Sequence, residues 1–542
     1  MSLFDRTAST AQKTRIAIVE DNATARMNLR SHLIAMDNYD IASYSNGKEF
    51  RNGLRVRNFD VAFIDFHLGQ NKNGVEWVQS LLDAKVLVPS TSIIFVTSDR
   101  LPQTIGQILD LYPDMILIKP YTIKSVMTAL KQCISARKHL MPALSYVDEG
   151  RLQLALNYVD DKLTSGVTKR FKTDFIKLKG RLLIQLKHYD QAATLYSKIL
   201  ERSNSVLWAH WGLIKSEFLG GKWQQCETMV EGLLSAQLTK DKAHEWLACL
   251  ALSKKDYAEA EKHLDNIKDN ELTIQATKLK ILAFSMQNKK QHAIDLLEKK
   301  RSSNLTIKER FDEFTIELAR CYLSQAEDSH IDERVDDLMS AKKLIGNASH
   351  FMIDRQSEQQ RTYMLARASL LEGDTQKATR LVNSNPHKND TLSKITTMSD
   401  AIKVWFGLGH EEKAREILAS CEEQLLDQDN QIELLLADNL INETEIQLGL
   451  TKEKALNLND RGMQHYLSGK HKVAVDLFYK AHNLYPGVPA FSLNLLQCLA
   501  DLNLEYYKDV SLQLLIDDLS SINLSTPNQQ KLISIRDKIK FA

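Results

Sequence analysis

Residues 60–68 read DVAFIDFHL, an apolar run in which the acid Asp65 follows four hydrophobic residues. Such a run is typical of a strand that is buried on both faces of a parallel sheet. A buried carboxylate costs several kcal/mol unless a partner compensates its charge. Packing alone therefore does not explain Asp65, and we treat it as a candidate functional residue.

Four similar runs surround this one between Arg15 and about Arg137, with helical stretches between them. They read RIAIV at 15–19, YDIAS at 39–43, SIIFV at 92–96 and MILIK at 115–119. Strands that alternate with helices predict a doubly wound α/β fold, in which a five-stranded parallel sheet is covered on both faces. Ligands of such sheets bind at the carboxyl ends of the strands, so functional residues are expected there.

Polar residues do follow the predicted strands at that edge. They are Glu20 and Asp21 after the first strand, Asp65 at the third, Thr97 and Ser98 at the fourth, and Lys119 at the fifth. Neighbouring strands lie about 4.8 Å apart, so these side chains can converge. Three carboxylates so close together repel one another unless a cation compensates.

Magnesium is the natural compensating ion, because it prefers oxygen ligands and keeps phosphate oxygens in its shell. We predict that Glu20, Asp21 and Asp65 hold Mg²⁺, directly or through water, with the main-chain carbonyl of His67 as a further ligand. The His67 ring is not expected to be a ligand. Asp65 would be the nucleophile in phosphoryl transfer, while Thr97 and Lys119 would bind the phosphoryl oxygens.

Four motifs carry a family resemblance: VEDN at 19–22, FIDFHLG at 63–69, VTSD at 96–99 and IKPY at 118–121. In this order they resemble the receiver domain of two-component response regulators, of the chemotaxis type. The resemblance implies a flavodoxin-like strand order 2-1-3-4-5, a cis peptide bond before Pro120, and a requirement for Mg²⁺. It also implies that a sensor histidine kinase phosphorylates Asp65 and that a receiver-mediated dimer can form.

The chain departs from the family pattern at two positions. Ile116 stands where the family usually has an aromatic residue, and Gly69 stands where a proline is common. The loop GQNKNG at 69–74 is also longer than usual. A constitutive scaffold with a receiver that serves only for docking therefore stays open as an alternative.

The second half of the chain has a repeat. Segments with similar sequences begin at Tyr189, Trp223 and Tyr257, a constant spacing of 34 residues, which is the tetratricopeptide (TPR) period. A small residue recurs three positions into each copy and into weaker copies: Ala192, Cys226, Ala260, Ala293, Ala341, Ala378, Ala414 and Ala474. We predict an all-α TPR superhelix of about eight hairpins, with capping helices after Pro486.

These patterns divide the chain into four parts. Residues 1–13 are predicted to be a disordered tail and residues 14–138 a receiver domain whose last helix spans about Thr122 to Lys138. Residues 139–150 are predicted to be a linker, and residues 151–542 a TPR-like domain.

Length, composition and charge disfavour several classes of protein. The chain has 542 residues, 26% of them charged, and a net charge of +1, so several packing units are expected and nucleic-acid binding is not favoured. Its apolar runs are shorter than the roughly 20 residues that a bilayer needs, and no secretory signal is evident, which predicts a cytoplasmic protein.

Six scattered cysteines predict free thiols. Four tryptophans at helical spacing are expected to be core residues: Trp208, Trp211, Trp223 and Trp246.

The output is predicted to be binding rather than catalysis. The second half has no helix-turn-helix, phosphate-binding glycine loop or zinc-ligand cluster. A repeat array instead presents a concave groove for a protein or peptide partner. We therefore expect a non-enzymatic response regulator whose phosphorylation controls that groove. Nucleic-acid binding by a basic groove is the last alternative.

Overall fold

The computed structural model describes residues 13–36, 39–69, 73–84, 86–111, 113–269, 271–305, 307–330, 334–348, 355–386, 392, 394–427, 430–522 and 524–541. The predicted N-terminal tail, apart from residue 13, lies outside the described residues. So do residues 70–72 of the loop that follows Asp65.

A five-stranded parallel sheet forms the N-terminal part. Its strands are β1 (Arg15–Val19), β2 (Asp40–Tyr44), β3 (Val61–Asp65), β4 (Ser92–Thr97) and β5 (Met115–Ile118), in the order β2-β1-β3-β4-β5. The helices between and after them are α1 (Ala23–Ile34), α2 (Gly47–Val56), α3 (Gly74–Asp83), α4 (Pro102–Asp110) and α5 (Ile123–Asp148). The structure thus confirms the doubly wound fold and the strand order.

The two faces of the sheet bury separate cores. Ile18 and Phe63 point to the face that α1 and α5 cover, where Leu29 and Leu130 are buried. The alternate strand residues point to the opposite face, among buried side chains of α2, α3 and α4. Since successive strand residues alternate between faces, a strand buried on both sides must be apolar throughout. This explains why the apolar run before Asp65 is continuous.

Helix α5 is longer than the sequence predicted. It begins after its N-cap Thr122 and continues to Asp148 through Pro142. The helix therefore occupies residues 139–148 of the predicted linker. The physical reason is that Leu140 and Leu144 are buried, so the apolar stripe of the helix does not stop where the receiver resemblance ends.

The remaining elements of the described chain are helices, apart from one small hairpin. The helices are α6 (Leu152–Ser165), α7 (Lys169–Gln185), α8 (Tyr189–Leu200), α9 (Leu207–Leu219), α10 (Trp223–Glu231), α11 (Lys240–Ser253), α12 (Tyr257–Asp265), α13 (Ile274–Met286), α14 (Lys290–Ser303), α15 (Lys308–Asp328), α16 (Val335–Ala348), α17 (Arg355–Leu371), α18 (Thr375–Ser384), α19 (Ile395–Gly407), α20 (Glu411–Asp427), α21 (Gln431–Gln447), α22 (Thr451–Leu467), α23 (His471–Leu484), α24 (Pro489–Asp501), α25 (Leu512–Ser521) and α26 (Thr526–Phe541). Strands β6 (Tyr506–Tyr507) and β7 (Val510–Ser511) pair antiparallel.

The recurring small residues all lie in helix interiors. Each of the eight is at most 2% exposed. Seven of them are the fourth residue of their helix, and Ala341 is the seventh residue of α16. A larger side chain at such a site would push the paired helix away, since protein interiors are close-packed. A helical repeat array is consistent with this regularity.

The chain forms two compact units, and their division does not fall at 139–150. One unit comprises Met1–Ser216, Leu234–Lys242 and Glu298–Phe314, and the other comprises Glu217–Leu233, Ala243–Leu297 and Thr315–Ala542. Each unit therefore contains segments that are distant in the sequence. The first unit contains the whole five-stranded sheet.

Helix α11 shows how the second unit packs around its own repeats. Every residue from Ala243 to Leu252 is buried, as expected for a helix that is covered on all sides. Ile432 and Leu435 of α21 join the hydrophobic cluster that contains Cys249 and Leu279. The helices of this unit thus pack against a helix about 150 residues later in the chain.

Most of the tryptophans and all of the cysteines are found as the sequence predicted. Trp211, Trp223 and Trp246 are buried, as predicted. Trp208 is only partly buried, and the Lys177 ammonium lies 5.6 Å from its ring centroid. All six cysteines are free. Among the described residues, none of the helices combines the length and the apolar character needed to cross a bilayer.

Candidate functional site

Three carboxylates converge at the carboxyl edge of the sheet. Glu20 and Asp21 follow β1, and Asp65 is the last residue of β3, the neighbouring strand. Their oxygens lie within 4.8 Å of one another. Glu20 and Asp65 are buried, whereas Asp21 is exposed to solvent. The structure thus brings these three predicted residues together.

A single ammonium group bridges two of these acids. Lys119, which follows β5, places its Nζ 2.8 Å from Glu20 Oε2 and 3.1 Å from Asp65 Oδ1. The peptide bond between Lys119 and Pro120 is cis, as the family resemblance implied. The chain thus brings a cation from the edge strand to the acids near the middle of the sheet.

The charges of this cluster do not cancel. The pKa of Asp65 is raised to about 7, because burial and the charge of the Glu20 carboxylate raise it and the charge of Lys119 only partly opposes them. Burial alone would lower the pKa of Lys119, but its hydrogen bond to Glu20 and the charge of Asp65 hold that pKa above its usual value. Three carboxylates with one ammonium leave excess negative charge, which favours the binding of a further cation.

Gly69 makes room for the exposed acid. Its backbone is left-handed, with φ at +64°. A Cβ atom at this position would lie only 2.8 Å from Asp21 Oδ2. On the other side, Arg26 Nη1 donates hydrogen bonds to the main-chain oxygens of Glu20 and Asp21 at 2.5 and 3.1 Å. Sequence reasoning saw Gly69 only as a departure from the family, because its contact with Asp21 is not local.

Thr97 and His67 make local contacts. Thr97 is fully buried, and its Oγ1 accepts a hydrogen bond from the Asp99 amide at 3.0 Å. The His67 ring is largely exposed, and its Nε2 lies 3.9 Å from Asp99 Oδ2. The phosphoryl-binding role of Thr97 and the ligand role of the His67 carbonyl stay predictions.

Ile116 belongs to the hydrophobic core. It is partly buried and packs against the cluster on the face of the sheet that α2, α3 and α4 cover. The nearby aromatic residue, Tyr121, is instead half-buried against the other core and contacts the His32 ring edge-on at 6.4 Å between centroids. The position that holds an aromatic ring in the family thus carries an aliphatic core side chain here.

The donor set fits magnesium. Oxygen ligands at about 2.1 Å from an octahedral ion lie about 3 to 4 Å from one another, which is compatible with carboxylate oxygens at up to 4.8 Å after small side-chain rotations. The space that a side chain at residue 69 would fill is also left open beside Asp21. Asp21 and Asp65 would hold the ion, and Glu20 would act directly or through water.

Comparisons with known proteins agree with this geometry at the N-terminus. Residues 16–131 match the family model described as the response regulator receiver domain. No curated protein matches the chain. The first part of the chain is therefore a receiver domain, and the helical region after it is consistent with a repeat array.

Solved structures give three further likenesses. The isolated receiver domain of RcsB from Salmonella enterica serovar Typhimurium, in the presence of a phosphomimetic, shares 18% identity with a TM-score of 0.21, covering 23% of this chain and 89% of that chain. A Burkholderia pseudomallei response regulator with a phosphorylated aspartic acid shares 20% identity with a TM-score of 0.21, covering 28% and 89%. The Naa15/Naa10 structure with HypK-THB shares 12% identity with a TM-score of 0.23, covering 81% and 72%.

Replacing Gly69 by alanine is expected to weaken Mg²⁺ binding. The added Cβ would crowd Asp21 Oδ2, and the alanine residue would have to adopt a left-handed backbone conformation. That conformation costs about 1 kcal/mol or more of strain. We expect the dissociation constant for Mg²⁺ to rise about tenfold in calorimetric titration. Gly150→Ala is the matched control, because Gly150 has φ at +73° with no atom within 4 Å of the added Cβ. Equal affinities of both variants would contradict the role of Gly69.

Proposed function

We propose that this protein is a response regulator in which Asp65 accepts a phosphoryl group from a sensor histidine kinase. The observation that carries the proposal is the meeting of Glu20, Asp21 and Asp65 within 4.8 Å, with Lys119 bound to two of them. This cluster lies at the carboxyl edge of a receiver-type sheet, where ligands of such folds bind.

Each residue has a defined task in the transfer. An Asp65 carboxylate oxygen forms the new P–O bond while the P–N bond to the donor histidine breaks. Lys119 is already 3.1 Å from Asp65 Oδ1, so its charge is in place to stabilise the phosphoryl oxygens, together with the Thr97 hydroxyl. Bound Mg²⁺ would supply additional neutralisation of the developing negative charge. Positioning and charge compensation are most of what phosphoryl transfer requires.

The helical region is proposed to act by binding protein. The 34-residue spacing and the eight buried small residues support a TPR-type array, and such arrays bind peptides or partner helices. We propose no enzymatic output and a cytoplasmic location. Phosphorylation would then control which partner this region binds.

A constitutive scaffold is the second candidate. Two observations favour it: Ile116 replaces the aromatic residue, and the Thr97 hydroxyl already accepts a hydrogen bond from Asp99. A scaffold would retain the same protein partners at the same affinity in wild type and in Asp65→Ala. A regulator would lose or gain partners when the acceptor is removed.

The proposal is tested by incubating the protein with a small acyl phosphate and Mg²⁺ and locating the mass increase by peptide mass spectrometry. We expect modification at Asp65, which Asp65→Asn and chelation of the metal both abolish. Asp60→Asn is the matched control, because Asp60 precedes the same strand and pairs with Arg15 at its opposite end. Absence of modification with acyl phosphate and with a cognate kinase would disprove the phosphorylation claim.

A further inference from the structure

Helix α3 begins directly against the backbone of Asp65. Its first residue is Gly74, where an added Cβ would lie only 2.2 Å from the Asp65 main-chain oxygen. The Gly74 amide donates a hydrogen bond to the Phe66 carbonyl at 2.8 Å. Because this contact is backbone against backbone, a shift of Asp65 cannot be absorbed by a side chain. The start of α3 is therefore mechanically tied to the proposed phosphorylation site.

Glu76, the third residue of α3, has two sets of partners. It completes a capping box, in which the Asn73 side chain accepts from the Glu76 amide and Glu76 Oε2 accepts from the Asn73 amide. The same carboxylate also binds Arg310, with Nε 3.0 Å from both carboxylate oxygens and Nη2 2.8 Å from Oε2. Both side chains are less than a quarter exposed, so this is a partly buried, two-pronged ion pair of the stronger kind.

Arg310 lies in the first turn of α15, within the segment Glu298–Phe314 that belongs to the same compact unit as the sheet. A second segment of the unit touches the next receiver helix. A Cβ added at Gly106 of α4 would lie 3.2 Å from the Leu238 carbonyl oxygen. The surface of α3 and α4 is thus in contact with two segments that come from far along the chain.

We propose that the Glu76–Arg310 pair is a clamp through which the state of Asp65 controls the segment Glu298–Phe314. The occupant of the α3 surface is this segment of the chain itself, held while Asp65 is unmodified, and phosphorylation loosens it. The inference rests on the proposed phosphorylation of Asp65. It also gives the receiver an output route that does not use the position of Ile116.

Charge explains the direction of the change. A phosphoryl group adds roughly 1.5 to 2 negative charges to a residue whose backbone touches the first residue of α3. The new charge is favoured near the positive N-terminal end of that helix, where the Glu76 carboxylate now lies. Repulsion between the two anions weakens the hold of Glu76 on Arg310, and the rigid contact at Gly74 passes any shift of Asp65 to the same turn.

The test is hydrogen exchange of the full-length protein, followed by mass spectrometry at the peptide covering Phe311–Phe314. With Mg²⁺ and beryllofluoride, a phosphoryl mimic, we expect exchange in wild type to become about tenfold faster, as the loss of one charge-assisted pair predicts. Arg310→Gln should show this faster exchange without the mimic and no further increase with it. Glu76→Gln should behave likewise, because glutamine still completes a capping box but has no charge.

Arg151→Gln is the matched control, since Arg151 forms an exposed pair with Glu149 in the same unit, and it should exchange like wild type. Phosphorylation of Asp65 by a small acyl phosphate is measured on separate portions of the same protein preparations, without beryllofluoride. If Asp65 is modified but the exchange does not change, or if Arg310→Gln exchanges like wild type, the clamp is disproved while the proposed function stands. If Asp65 accepts no phosphoryl group, the proposed function fails and the coupling fails with it, even where Arg310→Gln still releases the segment.

Discussion

Lys119→Met is expected to slow phosphorylation of Asp65 by about 100- to 1,000-fold. This is the usual cost of removing one preorganised charge or donor from a site where negative charge develops. Lys119 is the only ammonium among the described residues that forms an ion pair with Asp65, and it binds Glu20 as well. The measurement is the initial rate of modification by a small acyl phosphate at saturating Mg²⁺.

Lys124→Met is the matched control for this variant. Lys124 lies five residues later, in the first turn of α5, and its side chain is exposed. In the Lys124→Met variant, Asp65 should be phosphorylated at the wild-type rate. A rate for Lys119→Met within about threefold of wild type would show that the ammonium has a structural role only.

The same variant should change the pH dependence of stability in the absence of metal. The pKa of Asp65 is raised to about 7 in the folded protein, whereas an exposed aspartate has a value near 3.9. Between about pH 4 and 7 the folded state therefore binds more protons than the unfolded state, and the free energy of unfolding falls as the pH rises. Without Lys119 this fall should continue to higher pH, and added Mg²⁺ should remove it, as thermal unfolding of the two proteins would show.

Arg367→Met is expected to destabilise the second compact unit by about 3–5 kcal/mol, the typical cost of leaving buried charges without their partner. Arg367 is 5% exposed and binds Glu327 at 2.6 Å and Asp400 at 3.0 Å. Lys403 contacts the Glu327 carboxylate and Arg320 contacts the Asp400 carboxylate. Helices α15, α17 and α19 therefore meet in one ion network. Hydrogen exchange of α17 amides measures the opening free energy directly.

The matched control is Arg415→Met. Arg415 pairs with Glu453 at 3.1 Å, but both side chains are about half exposed or more, so the loss should be below about 1 kcal/mol. Burial alone would raise the pKa of Glu327, yet Arg367 and Lys403 hold it at about 2. The stabilisation is therefore complete above about pH 4.3 and is lost as the pH falls toward 2. Similar losses for both variants would contradict the importance of burial.

Local sequence patterns were sufficient for the sheet and for the acidic edge. The apolar runs do not alternate with polar residues, because these strands are buried on both faces of the sheet. The carboxyl ends of parallel strands also lie at the same edge of the sheet. Those two facts predict that Glu20, Asp21, Asp65 and Lys119 lie close together. The small residues of the repeats were equally predictable, because the demand at Ala192 or Ala260 comes from the neighbouring helix of the same hairpin.

Long-range packing could not be predicted in the same way. Ile432 lies more than 150 residues from Leu279 in the sequence, and Arg310 lies 234 residues from Glu76. No local period encodes such pairs. The full length of α5 could not be predicted for a related reason: an apolar stripe that continues through Pro142 can be recognised only when the partners of Leu140 and Leu144 are known.

The unbroken course of α5 has a practical consequence for anyone who wishes to cut this protein into pieces. A fragment that stops at residue 138 would end in the middle of helix α5 and would lack Leu140, Ala143 and Leu144, which are buried in the full chain. We also expect proteases to cleave poorly between residues 139 and 148, because this stretch is helical. Helix α5 continues without a break from the receiver domain to Asp148. A shortened version of the protein should therefore keep all of α5 and the helices α6 and α7 that follow it.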